Sequence, residues 1–174
     1  MQLLTFTIGS DLYAIESRLV LEVLPLVPAR RIPRSPDYVR GVFTYRGRLV
    51  PMVDLSMRFA DVPVRERLGT RVIVMDCPVR AGGGAAASFS LGLAAENVLG
   101  VRQTTATETA ATRPSGPAFL DGPLGRLVRI DSRIVQLVSV EQLLPAELAA
   151  ELAAVEAGER SAAAPAPDTA ASRP

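Results

Sequence analysis

Acid–base chemistry in this sequence would have to come from carboxylates. Glu22, Asp54 and Glu96 are the acids set in apolar, core-like stretches. A working acid–base pair needs two groups with matched pKa values, most often with an imidazole between them. The 174 residues contain no histidine, so there is no imidazole base, no His-based zinc site and no phospho-accepting histidine. All 19 basic residues are arginine. Without lysine there is no Schiff base and no phosphate-loop lysine. Cys77 is the only thiol, which excludes an internal disulfide and a cysteine-rich metal site. Within the apolar run 72–79 it reads as a small buried hydrophobe. Gly82-Gly83-Gly84 has neither a following helix nor a Gly-Lys-Ser/Thr ending, so it reads as a loop tip and not a phosphate cradle. The expectation is a protein with no catalytic residues, no cofactor and no metal.

What remains is recognition by arginine. Arg46 is an always-charged group between two apolar strand-like segments, and such a group needs a carboxylate partner or a binding role. Glu22, in the apolar run 19–24, is its candidate counter-ion. Removing one partner of a buried pair strands the other charge. Asp54 has the chemistry of a helix cap for residues 55–59. Arg30, Arg31, Arg34, Arg40, Arg46 and Arg48 form a basic stretch opposed only by Asp37. One reading is a phosphate-contacting surface on a small-barrel nucleic-acid-binding protein. The other is a solvated protein-binding face. Tyr38, Phe43 and Tyr45 give thin aromatic support for the first, since at least one belongs in the core. The formal net charge of +1 supplies no general pull toward nucleic acid or anionic membrane.

These side chains must be held by short strands. Residues 3–8 and 12–15 read as strands around a Gly9-Ser10-Asp11 turn. Residues 16–20 suit a helical turn, and 20–24 are extended up to Pro25. Residues 25–40 carry four prolines and read as loop, with a helical turn at 36–39. Residues 42–45 and 49–53 make a hairpin through Arg46-Gly47, with Gly47 supplying positive φ. Pro51 cannot donate a ladder hydrogen bond, so its strand should be at an edge or bulge there. Residues 71–77, 88–95 and 98–103 are further strands, 104–117 a long connection, and 127–130 with 133–138 a last hairpin around Asp131-Ser132.

Roughly nine or ten short strands at this spacing indicate a mainly β fold of small barrels, and two packed barrels fit the count better than one. A domain of about 145 residues buries roughly 68–70% of its unfolded surface, enough for a self-sufficient core. The expected organisation is a domain over 1–145 made of two barrel subdomains, then 146–174 as a trailing appendage. In that appendage 145–159 is an acidic helix, with Leu148 and Leu152 four apart, and 162–174 is an Ala/Pro-rich disordered tail. The N-terminus has no basic start and reaches Asp11 quickly, unlike a signal peptide. The longest uncharged run, 81–95, falls short of the ~20 apolar residues that span a bilayer. A cytoplasmic protein is expected.

The motifs resemble those of the CheW-type chemotaxis coupling proteins over residues 3–145. Phe6-Thr7-Ile8-Gly9 and Tyr13-Ala14-Ile15 resemble that family's opening strands, and Val20-Leu21-Glu22-Val23 its V-x-E-I segment. Arg31-Ile32-Pro33 through Pro36 resembles R-I-P-x-x-P. Gly41-Val42, Arg46-Gly47, Val50-Pro51 and Asp54-Leu55 match G-V-x-x-x-R-G-x-x-V-P-x-x-D-L, and Gly92-Leu93 to Val98 resembles G-L-x-V-D-x-V. The resemblance implies two SH3-like five-stranded barrels and a non-catalytic adaptor in signal transduction by a two-component system. It implies binding to the cytoplasmic tip of a methyl-accepting chemoreceptor and to the regulatory domain of a CheA-type histidine kinase. It further implies a monomer that joins rings with the kinase in arrays under the inner membrane, with no nucleic acid bound and no membrane insertion. The receptor tip, a helical hairpin, would lie in a groove lined by Val20, Glu22, Gly41, Arg46, Leu49 and Val50, with Glu22–Arg46 as a structural ion pair. Thr44-Tyr45, Ala95, Glu96 and a longer 110–123 segment depart from the family pattern. These departures leave open a chemosensory array that serves surface sensing or pilus motility.

Overall fold

The computed structural model describes residues 1–79, 87–104 and 124–162. Strand β1 (Gln2–Ile8) turns at Gly9-Ser10 into β2 (Asp11–Glu16), and a single 3-10 turn at Ser17–Leu19 leads to β3 (Val20–Pro25). The hairpin β4 (Val39–Tyr45) and β5 (Arg48–Asp54) runs into the short helix α1 (Leu55–Ala60). Then come β6 (Arg71–Val79), β7 (Ala87–Gln103), β8 (Leu124–Ile130), β9 (Arg133–Val138) and the helix α2 (Ala146–Ala162).

Strand pairing sorts these elements into two five-stranded barrels that share β7. The first half of β7 pairs antiparallel with β6 and, over Gly92 to Ala94, parallel with β5. Its second half pairs with β1, and the order continues through β2 and β9 to β8. One barrel is therefore β7-β1-β2-β9-β8, filled by Leu3, Ala14, Val128, Ile130, Val135 and Leu137. The other is β3-β6-β7-β5-β4, filled by Phe43, Val50, Met52, Val64, Val72, Val74 and Ala94. The expected pair of small barrels is the observed architecture.

The largest core lies between the barrels, and β6 shows why. Its alternate side chains Val72 and Val74 enter the second barrel, while Ile73, Met75 and Cys77 join Phe6, Ile15, Leu91 and Leu93 in the shared layer. A strand buried on both faces has to read as a continuous apolar run, as residues 72–75 do. The sequence divides β7 in two, at 88–95 and 98–103, but the backbone is one strand. Asn97 (φ 43°) and Gly100 (φ 112°) take left-handed values, and the register against β1 slips between Thr5 and Thr7. That bulge bends the strand from one barrel into the next.

Local contacts fix the base of the β4–β5 hairpin. Arg30 and Val42 exchange both backbone hydrogen bonds at 2.8 Å, tying the segment after β3 to β4. A bulge at Arg40 precedes that bridge. Between them Gly41 sits at φ 131°, where an added Cβ would lie 2.0 Å from the Arg30 carbonyl oxygen. Asp54 caps α1: its Oδ1 accepts from the Met57 amide at 2.9 Å, and its Oδ2 accepts from the Val64 amide at 2.9 Å. Pro51 lies just ahead of Met52, where pairing with β7 begins, so the missing donor interrupts no ladder there.

The sequence expects a trailing appendage after residue 145, and the structure corrects this. Leu152 is buried in the shared core, with Leu148, Ala149 and Ala153 packed beside it. The Arg58 guanidinium Nε donates to the Leu143 carbonyl at 3.2 Å, fastening the approach to α2 onto α1. Gly82–Gly84, most of the 104–117 connection and residues 163–174 lie outside the described residues.

Gly41→Ala adds a clash with rigid backbone to a left-handed φ, and should cost roughly 2–4 kcal/mol in urea unfolding. Wild-type stability in that variant would refute the close approach. Burial, with Asp76 and Glu141 nearby, pushes the Cys77 thiol up to about 12. Since only the thiolate reacts, native protein at pH 8 should resist a thiol reagent, and labelling should track global unfolding. Rapid labelling of native protein would contradict this.

Candidate functional site

The site begins with a turn. Tyr45 pairs with Arg48, which leaves a two-residue loop in which both Arg46 (φ 49°) and Gly47 (φ 77°) are left-handed. Two positive φ values in a two-residue loop are the mark of a type I′ hairpin. The sequence assigns positive φ to Gly47 alone. Arg46 is an unusual occupant, since a side chain in this region costs roughly 1–2 kcal/mol. The turn projects its guanidinium toward β3.

On β3, Glu22 stands opposite Val74 and so faces the second barrel's interior, at its mouth. There it meets two donors from the hairpin. The Tyr45 hydroxyl donates to Glu22 Oε2 at 2.7 Å, and Arg46 Nη2 donates to the same oxygen at 2.9 Å. The Arg46 guanidinium carbon lies 5.1 Å from the centre of the Tyr45 ring, a cation–π distance. The Tyr45 hydrogen bond is the main cause that holds the Glu22 carboxyl below the usual range; partial desolvation opposes it and Arg46 adds to it. The same hydrogen bond raises the Tyr45 phenol above its usual value.

The sequence places Glu22 in a core-like run, and the structure corrects that. The Glu22 and Arg46 side chains are 39% and 73% exposed, so the pair is a surface feature at a barrel rim. Exposed pairs are screened by water and salt and add little stability. Their fixed geometry is what the arrangement provides.

The other expected groove residues divide. Val20 and Leu49 are half-buried. A bulge at Leu21 sets Val20 opposite Met75, so Val20 packs on the core between the barrels while Glu22 faces the other way. Leu49 alternates with Val50 and shares a face with Val53 of that same core. Val50 is fully enclosed inside the second barrel, and Gly41 is buried against the Arg30 backbone. Neither presents a surface; they shape the hairpin from beneath. Leu21 and Val23, by contrast, are 53% and 38% exposed on β3. Sequence reasoning missed Tyr45. Its only signal was an aromatic on the Phe43 face of β4, directly before the turn.

The basic stretch is not one surface. Arg40 spans Asp54 (3.4 Å) and Glu66 (2.7 Å), and Arg46 is held by Glu22. Arg31 and Arg40 line a pocket of about 390 Å³ together with Asp37 and Asp54, which balances their charge. That mixture does not suit a phosphate backbone. Phe43 is in the core, as at least one of the three aromatics had to be. Glu96 is occupied by the Arg65 amide, which donates to it at 2.9 Å. Among the described residues, no three His, Cys, Asp or Glu side chains cluster as metal ligands would. No helix among them is long and apolar enough to cross a membrane.

Known proteins match this chain in sequence and in fold. The family model of the CheW-like domain matches residues 2–148. The chain is 29% identical over 146 residues to a chemotaxis protein CheW of Klebsiella aerogenes, covering 84% of this chain and 82% of that one. It is 28% identical over 120 residues to protein FrzA of Myxococcus xanthus, covering 69% of each. In fold it is similar to the scaffolding protein TtCheW of Thermoanaerobacter tengcongensis, with a TM-score of 0.69 at 19% identity over 83% of this chain and 87% of that one. With two SH3-like barrels on a shared strand and a family match over nearly its whole folded length, the chain belongs to the CheW-like family of chemotaxis adaptor proteins.

Proposed function

We propose that this chain is a non-catalytic adaptor that couples the cytoplasmic tip of a chemoreceptor to the regulatory domain of a CheA-type histidine kinase in a chemosensory array. The observation that carries the reading is the CheW-like match over residues 2–148, which takes in every residue of the rim cluster. The receptor tip is a helical hairpin, so its recognition is an amphipathic helix laid against an apolar groove. Val20 and Leu49 border the groove at the inter-barrel core, and Glu22 and Arg46 stand at its polar edge. Val23, on the same face of β3 as Val20, adds exposed apolar surface. Gly41 and Val50 act from beneath by fixing the hairpin. The adaptor is a monomer that enters rings with the kinase, at arrays under the inner membrane.

The test is retention of a receptor signalling tip and of a kinase regulatory domain from the same organism by the immobilised chain. Wild type should hold both. Arg46→Ala should weaken tip binding roughly tenfold, the scale of an interface arginine. Its unfolding curve should barely move, because Arg46 is exposed. Equal binding by folded Arg46→Ala would remove Arg46 from the contact, and failure of wild type with both partners would overturn the function.

A further inference from the structure

We infer that Tyr45 is a positioning residue that determines which helix this adaptor accepts: it locks Glu22 and Arg46 into a donor–acceptor pair fitted to a side-chain amide. The inference rests on the receptor-binding reading and deepens it.

Both hydrogen bonds to the Glu22 carboxylate arrive at one oxygen. Oε2 takes the Tyr45 hydroxyl and Arg46 Nη2, and Oε1 has no partner among the described residues. Arg46 likewise spends one nitrogen on Glu22 and keeps donors to spare in its planar fork. Tyr45 can fix both groups because it is itself fixed. Its ring packs on the second barrel's core and lies under the guanidinium, while its hydroxyl reaches the rim. The left-handed backbone at Arg46 sets the direction from which the guanidinium approaches. Two long side chains that would otherwise sample many rotamers are thereby held in one arrangement, which lowers the entropy lost when a partner docks.

The chemistry of the free atoms specifies the partner. The pair is neutral as a whole, so neither a lone cation nor a lone anion is strongly favoured. A free carboxylate oxygen beside free guanidinium N–H groups matches a primary amide, whose NH2 donates to Oε1 and whose carbonyl accepts from Arg46. Val23, exposed on the other face of the same strand, adds apolar surface for the flanking residues of that helix. The partner is an amphipathic helix with an Asn or Gln at the edge of its apolar stripe.

Tyr45→Phe tests this, since it keeps the ring and removes only the hydroxyl. Two quantities are measured on wild type and variant: the NMR titration of the Glu22 side-chain carboxyl, and affinity for the organism's own receptor tip. Wild-type Glu22 should titrate below an ordinary glutamate and move up in Tyr45→Phe. Tip affinity should fall about three- to tenfold, the scale of one hydrogen bond. In a double-mutant cycle, replacing the tip's Asn or Gln by Leu should weaken wild type and weaken Tyr45→Phe much less. Equal affinity of the two proteins for the tip, or additive losses at every tip amide, would overturn the inference and leave the receptor reading standing. Failure of wild type to bind the tip at all would overturn both.

Discussion

Residues Ala87–Gln103 run as one strand through both barrels, and the other elements are arranged around it. Its first half turns one face to the second barrel's interior and the other to the layer between the barrels. Leu91, Leu93 and Ala95 face that layer while Ala94 closes the second barrel. Neither barrel can therefore rotate against the other without breaking the β7 ladders on both sides of its bulge. The shared core gains further area from α2, whose Leu152 is almost fully covered. The result is a pair of barrels joined by one continuous strand and one common core.

The rim of the second barrel at the β4–β5 turn is polar, exposed and locally strained. Arg46 occupies a backbone conformation that most side chains avoid, and its charge adds little stability at a wet rim. The binding role proposed for Arg46 gives that strained, exposed turn a use. The hydrogen bonds of Tyr45 and Arg46 to Glu22 convert that turn into a fixed pattern of donors and acceptors. Further down the same hairpin, Gly41 lies close against the Arg30 backbone and Val50 is enclosed in the core.

Much of this was legible in the sequence. The β-branched runs at β1, β3, β5 and β6, the Gly47 turn and the Asp54 cap follow from local propensity and spacing, which a single chain displays directly. The Glu22–Arg46 contact was legible too, because an apolar context leaves few partners for a charge. What was hidden depends on register. The bulge at Leu21 sends Val20 and Glu22 to opposite faces, and the string Val-Leu-Glu-Val carries no sign of it. Glu96-Asn97 looks like a break between strands, although the backbone only bends there. The role of Tyr45 required knowing that the rims of β3 and β4 meet. The docking of α2 was hidden by its many alanines, which leave Leu148 and Leu152 as a faint stripe.

In the proposed function one molecule holds receptor and kinase at the same time. The direct measurement puts receptor tips on beads and the kinase regulatory domain in solution, with and without this chain. The predicted result is kinase domain retained only when the chain is present, in proportion to the amount of chain bound. Displacement of the chain from the tips by the kinase domain, or retention of the kinase domain without the chain, would contradict it.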